Sequence, residues 1–162
     1  MNKSIRIGGA SGFWGDSYRA TEQLIQDTTL DFIVYDYLAE ITMSIMARAR
    51  AKSPSAGYAT DFIDAVIKPY IKRISTHNTR LISNAGGVNP EKCAEVISEL
   101  VKDLQLNLKV SCITGDDLMG SAQEIKNMNC KEMFSDIKFP ELDKVASMNA
   151  YLGAFAISKA LD

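Results

Sequence analysis

Ile7-Gly8-Gly9-Ala10-Ser11-Gly12-Phe13-Trp14-Gly15-Asp16-Ser17 sets four glycines at the end of an apolar run and ahead of a segment with helical periodicity. The apolar residues 5–10 read as a short buried strand, so the glycines fall where a strand's carboxyl end meets a helix N-terminus. Without a Cβ at Gly9, Gly12 and Gly15, backbone amides can approach an anion closely. The same glycines also suit a tight turn against a closely packed helix, with no ligand at all.

Outward from this loop, apolar runs alternate with helical stretches. Strands are expected over residues 5–9, 32–35, 80–84, 108–113 and 145–148. Strand and helix in alternation predict an α/β fold, a three-layer sandwich with a mainly parallel, Rossmann-like sheet, formed by residues 1–162 as a single domain. The first helix is expected over residues 16–27, with Ala20, Leu24 and Thr28 on one face. The second, over residues 38–51, carries Leu38, Ile41, Ile45 and Ala49 on one stripe, with Met43, Met46 and Ala47 around it. It reads as apolar over most of its circumference and well buried. Ser53-Pro54-Ser55-Ala56-Gly57 ends it. A third helix, capped by Thr60 or Asp61, carries Ile63, Ile67, Tyr70, Ile71 and Ile74, and Pro69 inside it predicts a kink or a split. Asn89 reads as the N-cap of a fourth helix whose first residue is Pro90, running to about residue 104. Another helix is expected from about residue 116, an irregular stretch over residues 130–143, and a last helix over residues 151–161.

The 162 residues are 46% hydrophobic and 23% charged, with a net charge of -2, an ordinary globular profile. Lys and Arg are scattered rather than striped, apart from Arg48, Arg50 and Lys52 at a helix end, so no nucleic-acid partner is expected. No run of eighteen apolar residues and no charged leader with an apolar core is present, so neither a membrane span nor a secretory signal is read, and the expected location is cytoplasmic. Cys93, Cys112 and Cys130 are far apart and the only histidine is His77, which disfavours a zinc centre.

The segment from Gly9 to Gly15 resembles the glycine fingerprint of short-chain dehydrogenases, with Asp36 placed to hold a ribose. Against a dinucleotide, Asp16 brings a carboxylate to the amides that a pyrophosphate needs. No Tyr has a Lys four residues later. An NAD(P)-binding oxidoreductase is therefore the alternative rather than the first reading. A fuller resemblance joins the glycine loop to further blocks. These are Leu30-Asp31-Phe32-Ile33-Val34-Tyr35-Asp36-Tyr37-Leu38-Ala39-Glu40, Pro54-Ser55-Ala56-Gly57-Tyr58, Ser83-Asn84-Ala85-Gly86-Gly87-Val88-Asn89-Pro90, Gly115-Asp116-Asp117 and Asn149-Ala150-Tyr151-Leu152-Gly153. In this order they resemble the N-terminal domain of the acyclic terpene utilisation (AtuA) family. The resemblance implies a catabolic role on branched organic acids or their acyl-CoA thioesters. It also implies longer relatives, so the chain is expected to be a truncated member whose partners are a small acid or acyl-CoA and either a second copy or a companion C-terminal chain; the further alternative is a truncated non-enzymatic interaction domain that pairs with such a chain across a bare sheet edge.

In a parallel sheet the strand ends gather on one edge, so separate loops can build one site. The candidate acid/base groups are Asp16, Asp36, Glu40, Asp116 and Asp117. Grouped carboxylates raise each other's pKa or bind Mg2+ through oxygen. The candidate ligand-binding residues are Gly9, Ser11, Gly12, Gly15, Ser17, Asn84, Gly86, Gly87, Asn89, Asn149 and Tyr151, the Gly86-Gly87 turn being expected to act as a second amide donor loop. Asp16 and Asp116 also suit helix caps, and Glu40 a first helical turn. Trp14, Tyr35, Tyr37 and Tyr58 read either as core or as an aromatic wall for a branched acyl chain. The residues identify no resident cofactor or metal.

Overall fold

A computed structural model describes residues 4–26 and 29–162. Two compact units divide the chain, Met1–Cys112 and Ile113–Asp162. Among the described residues there are three strands and six α-helices, an α/β architecture with a fully parallel sheet of order β1-β2-β3.

The N-terminal unit runs β1 (Ile7–Ser11), α1 (Ala20–Leu24), β2 (Phe32–Tyr35) and α2 (Glu40–Lys52). A π-helix (Phe62–Ile67) then leads into α3 (Lys68–His77), followed by β3 (Arg80–Ser83) and α4 (Pro90–Asp103). Gly8, Ile33 and Leu81 stand in register across the sheet. Alternation along β2 buries Ile33 and Tyr35 and leaves Phe32 and Val34 half-covered. Thr21 of α1 hydrogen-bonds the Tyr35 hydroxyl at 3.0 Å, and the Phe62 ring meets the Tyr35 ring edge-on at 5.2 Å. Both crossovers therefore lie on the same face of β2, as right-handed connections must when each new strand is added on the same side. The opposite face keeps Ile7 63% exposed.

The five expected strands reduce to three. Residues 108–113 form no strand: Leu106, Leu108 and Val110 pack against the core while Asn107 and Lys109 face water. Their period-two pattern reports side-chain burial, which an extended chain achieves without joining a ladder. Residues 145–148 likewise form no strand. There Met148 accepts one bond from the Leu118 amide, and Asp117 and Asn149 make an isolated antiparallel bridge. The C-terminal unit otherwise holds α5 (Ala122–Asn127), α6 (Phe155–Leu161) and two single 3-10 turns.

Helix α1 starts at Ala20 rather than Asp16, because the glycine turn continues through Ser17; the expected end at Asp27, with Thr28, lies outside the described residues. Helix α2 also corrects its sequence reading. It buries Met46 and Ala47, whereas Ile41 is 75% and Ile45 47% exposed. A helix apolar all round has only one face to give to a one-sided sheet layer. Near Pro69 the chain changes form without breaking: the wide π turns stop at Ile67 and α3 follows directly, with proline in its first turn.

Candidate functional site

The carboxyl edge of the sheet draws three of the expected residues together. The Ser11 hydroxyl donates to the Asp36 carbonyl at 3.4 Å, and the Asn84 side-chain amide donates to the Asp36 carboxylate at 2.7 Å. The Asn84 side-chain oxygen accepts the Tyr37 amide at 2.7 Å, so one asparagine after β3 locks the chain leaving β2. Asp36 is exposed, held on one carboxylate oxygen, and set at the mouth of the sheet. That arrangement suits an acceptor of protons or of substrate hydroxyls. Glu40 lies one turn on, exposed, at the start of α2.

The glycine loop folds over this edge. Asp16 turns its carboxylate back onto the Gly12 amide at 2.9 Å and so occupies the anion seat that the loop itself makes. The competition expected between Asp16 and a pyrophosphate is thus present in the geometry. A Cβ would meet nothing at Gly9 or Gly15, so the loop stays open to approach there, and Gly15 has φ +89. The Trp14 amide donates to the Tyr37 carbonyl at 3.2 Å, and its indole N–H donates to Asp61. Asp16, Ser17, Tyr18, Tyr37 and Asp61 line a crevice of some 280 Å³, counted with its open mouth.

The second glycine loop serves a different end. Gly87 has φ +55, and a Cβ on it would lie 2.2 Å from the Met46 sulfur and 2.6 Å from the Gly57 carbonyl. A Cβ on Gly86 would lie 2.8 Å from Pro90. The amides of Gly87, Val88 and Asn89 are bonded to the carbonyls of Asn84, Gly57 and Gly86. Asn89 does not cap α4 with its side chain; it donates to the carbonyls of Pro54 and Ala56 at 2.9 and 2.8 Å. The loop is a seat for the residue 53–57 turn, and its amides face protein.

In the C-terminal unit, Asp116 accepts the Asn149 side-chain amide at 2.8 Å and Asp117 accepts the Met119 amide at 2.9 Å. These bonds close a turn around the Asp117–Asn149 bridge. Tyr151 is 100% exposed. Among the described residues no three His, Cys, Asp or Glu side chains gather as metal ligands, and no helix is long and apolar enough to cross a membrane.

Sequence reasoning passed over Asp61, which it read only as a helix cap. The available signal was Trp14: a half-buried indole N–H requires an acceptor, and a carboxylate ahead of a helix supplies one.

Among known protein families, the model described as the acyclic terpene utilisation family protein AtuA matches residues 5–162. No curated protein and no solved structure matches the chain.

Proposed function

The chain belongs to the acyclic terpene utilisation family, and we propose that within that role it binds or acts on a branched organic acid or its acyl-CoA thioester. The observation that carries this reading is the family match across nearly the whole chain. The placement of Ser11, Asp36 and Asn84 at the carboxyl edge of a parallel sheet, where α/β proteins take their ligands, supports it. In this reading Asp36 is the acid/base group and Asn84 positions it, while the open backbone at Gly9 lets the ligand approach. Within the C-terminal unit taken by itself, Asp116 and Asp117 stay proposed acid/base groups and Asn149 and Tyr151 proposed ligand-binding residues. A helical layer over the Ile7, Phe32 and Val34 face would complete the three-layer, Rossmann-like sandwich, and a cytoplasmic location fits the same role.

A thermal-shift titration tests it. Ligand that binds only the native state raises the melting temperature by mass action. Branched acids or acyl-CoA esters are expected to raise it, and Asp36→Asn, which keeps an oxygen for the Asn84 bond, is expected to remove the rise. A rise confined to NAD or NADP would replace this reading by the oxidoreductase, although Asp16 already holds the Gly12 amide. A second reading, a domain that pairs with another copy or a companion chain, is favoured by the exposed Met133, Phe134, Tyr151 and Phe155. It requires a mass above that of the monomer in light scattering.

A further inference from the structure

Tyr37 is only 6% exposed, and its ring is fixed edge-on against Tyr35 and Phe62 at 6.2 and 5.9 Å. Among the described residues its hydroxyl has no hydrogen-bond partner. Tyr37 lines the crevice, and its hydroxyl is not among the buried unpartnered polar atoms, so it opens to the crevice rather than into the core. Burial raises the Tyr37 pKa well above the ordinary phenol range, and the Asp61 carboxylate and Tyr18 add to the effect. Both of those neighbours stand on the crevice wall, which sets the Tyr37 hydroxyl at the crevice. Asp16 and Asp61 bring two carboxylates to the same wall, and among its lining residues there is no Lys, Arg or His. Such a wall repels anions and attracts cations. The crevice encloses space for a group about the size of a water molecule, and Ala65 and Val66 supply its apolar side. Asp61 directly precedes the π-helix, a form that recurs at functional sites.

We propose that the crevice between the glycine loop and the π-helix binds the ammonium group of a small aliphatic primary amine. The ammonium carries three donors. The Tyr37 hydroxyl oxygen and the Asp61 carboxylate accept two of them, the Asp16 carboxylate adds charge at the mouth, and the alkyl tail lies along Ala65 and Val66. A quaternary ammonium has no N–H to donate. This site is separate in chemistry from the acid or thioester site proposed at Asp36, and neither depends on the other.

Trp14 is the only tryptophan and its indole bonds Asp61, so its emission reports on the crevice. The full chain is titrated with n-butylammonium chloride, with tetramethylammonium chloride and sodium chloride at matched ionic strength as comparisons, and binding is followed by Trp14 fluorescence and by calorimetry. A saturable response to butylammonium alone is expected. Asp61→Asn should weaken it about tenfold or more, since a charge-assisted bond is lost. Tyr37→Phe should weaken it while leaving the melting temperature near that of the wild type, because the ring packing stays. The proposal is overturned by an equal response to all three salts, by no response, or by wild-type affinity in Tyr37→Phe. If Asp61→Asn does not fold, the Tyr37→Phe result decides.

Discussion

The two units of the chain differ in what they do with their apolar residues. Among the described residues every buried apolar side chain except Ala122 lies in Met1–Cys112, whereas Met128, Met133, Phe134, Ile137, Tyr151 and Phe155 of Ile113–Asp162 are exposed. The N-terminal unit has periodic elements long enough to present a face, and they converge on Ile33, Tyr35 and Phe62. The C-terminal unit has helices of only 6 and 7 residues, held with local turns and surface ion pairs such as Lys126–Glu141 and Lys131–Asp136. Pairs of that kind contribute about 0–1 kcal/mol each. Apolar content alone does not make a core; a repeated spacing that turns it to one side does.

The contrast is sharpest for truncations. Ile33→Ala removes a side chain with no exposure at the centre of the sheet and should cost about 3–4 kcal/mol in urea unfolding. Phe155→Ala should shift the same transition by less than about 0.5 kcal/mol. Equal costs would show that the C-terminal unit has a core after all. Gly87→Ala comes next. Its Cβ must displace Met46 and Gly57 at a positive φ, and a loss of about 3 kcal/mol is expected. If Gly87→Ala melted like the wild type, the seat for the residue 53–57 turn would be refuted. Asn89→Ala leaves the Pro54 and Ala56 carbonyls without their donor and should cost about 1–3 kcal/mol in the same assay.

Alkaline titration gives a smaller effect confined to the N-terminal unit. Burial pushes the Cys93 thiol up to about 11. The folded state then keeps a proton that the unfolded state releases first, so this contribution is whole below the unfolded thiol pKa. It falls away as pH rises toward the folded one, by about 3 kcal/mol in all. Cys93→Ala should flatten that part of the stability profile. At neutral pH, thiol labelling should be fast at the exposed Cys112 and Cys130 and slow at Cys93, where it waits for unfolding.

What the sequence reveals follows the same division. The strands at β1, β2 and β3, the change of winding next to Pro69 and the helix after Pro90 were legible because each couples an apolar run to a local punctuation of Gly or Pro. Residues 108–113 misled, since alternation of Leu and polar residues fits any extended chain lying on a core. The exposed side of α2 was illegible because the number of helical layers is a property of strand order, which no single helix encodes. That Ser11, Asp36 and Asn84 meet at the carboxyl edge of the sheet could be foreseen from strand ends. The Gly86-Gly87 turn could not be told from an anion cradle, because only the nearness of Met46 and Gly57 separates the two.

The strand order has a consequence for how the chain is made. Each strand of the sheet docks beside the one synthesised before it, with its crossover laid on the same side. No early strand has to hold a gap for a later one. The N-terminal unit can therefore assemble progressively as it leaves the ribosome, β1 with β2 first and β3 afterwards, each step adding to an edge that is already formed.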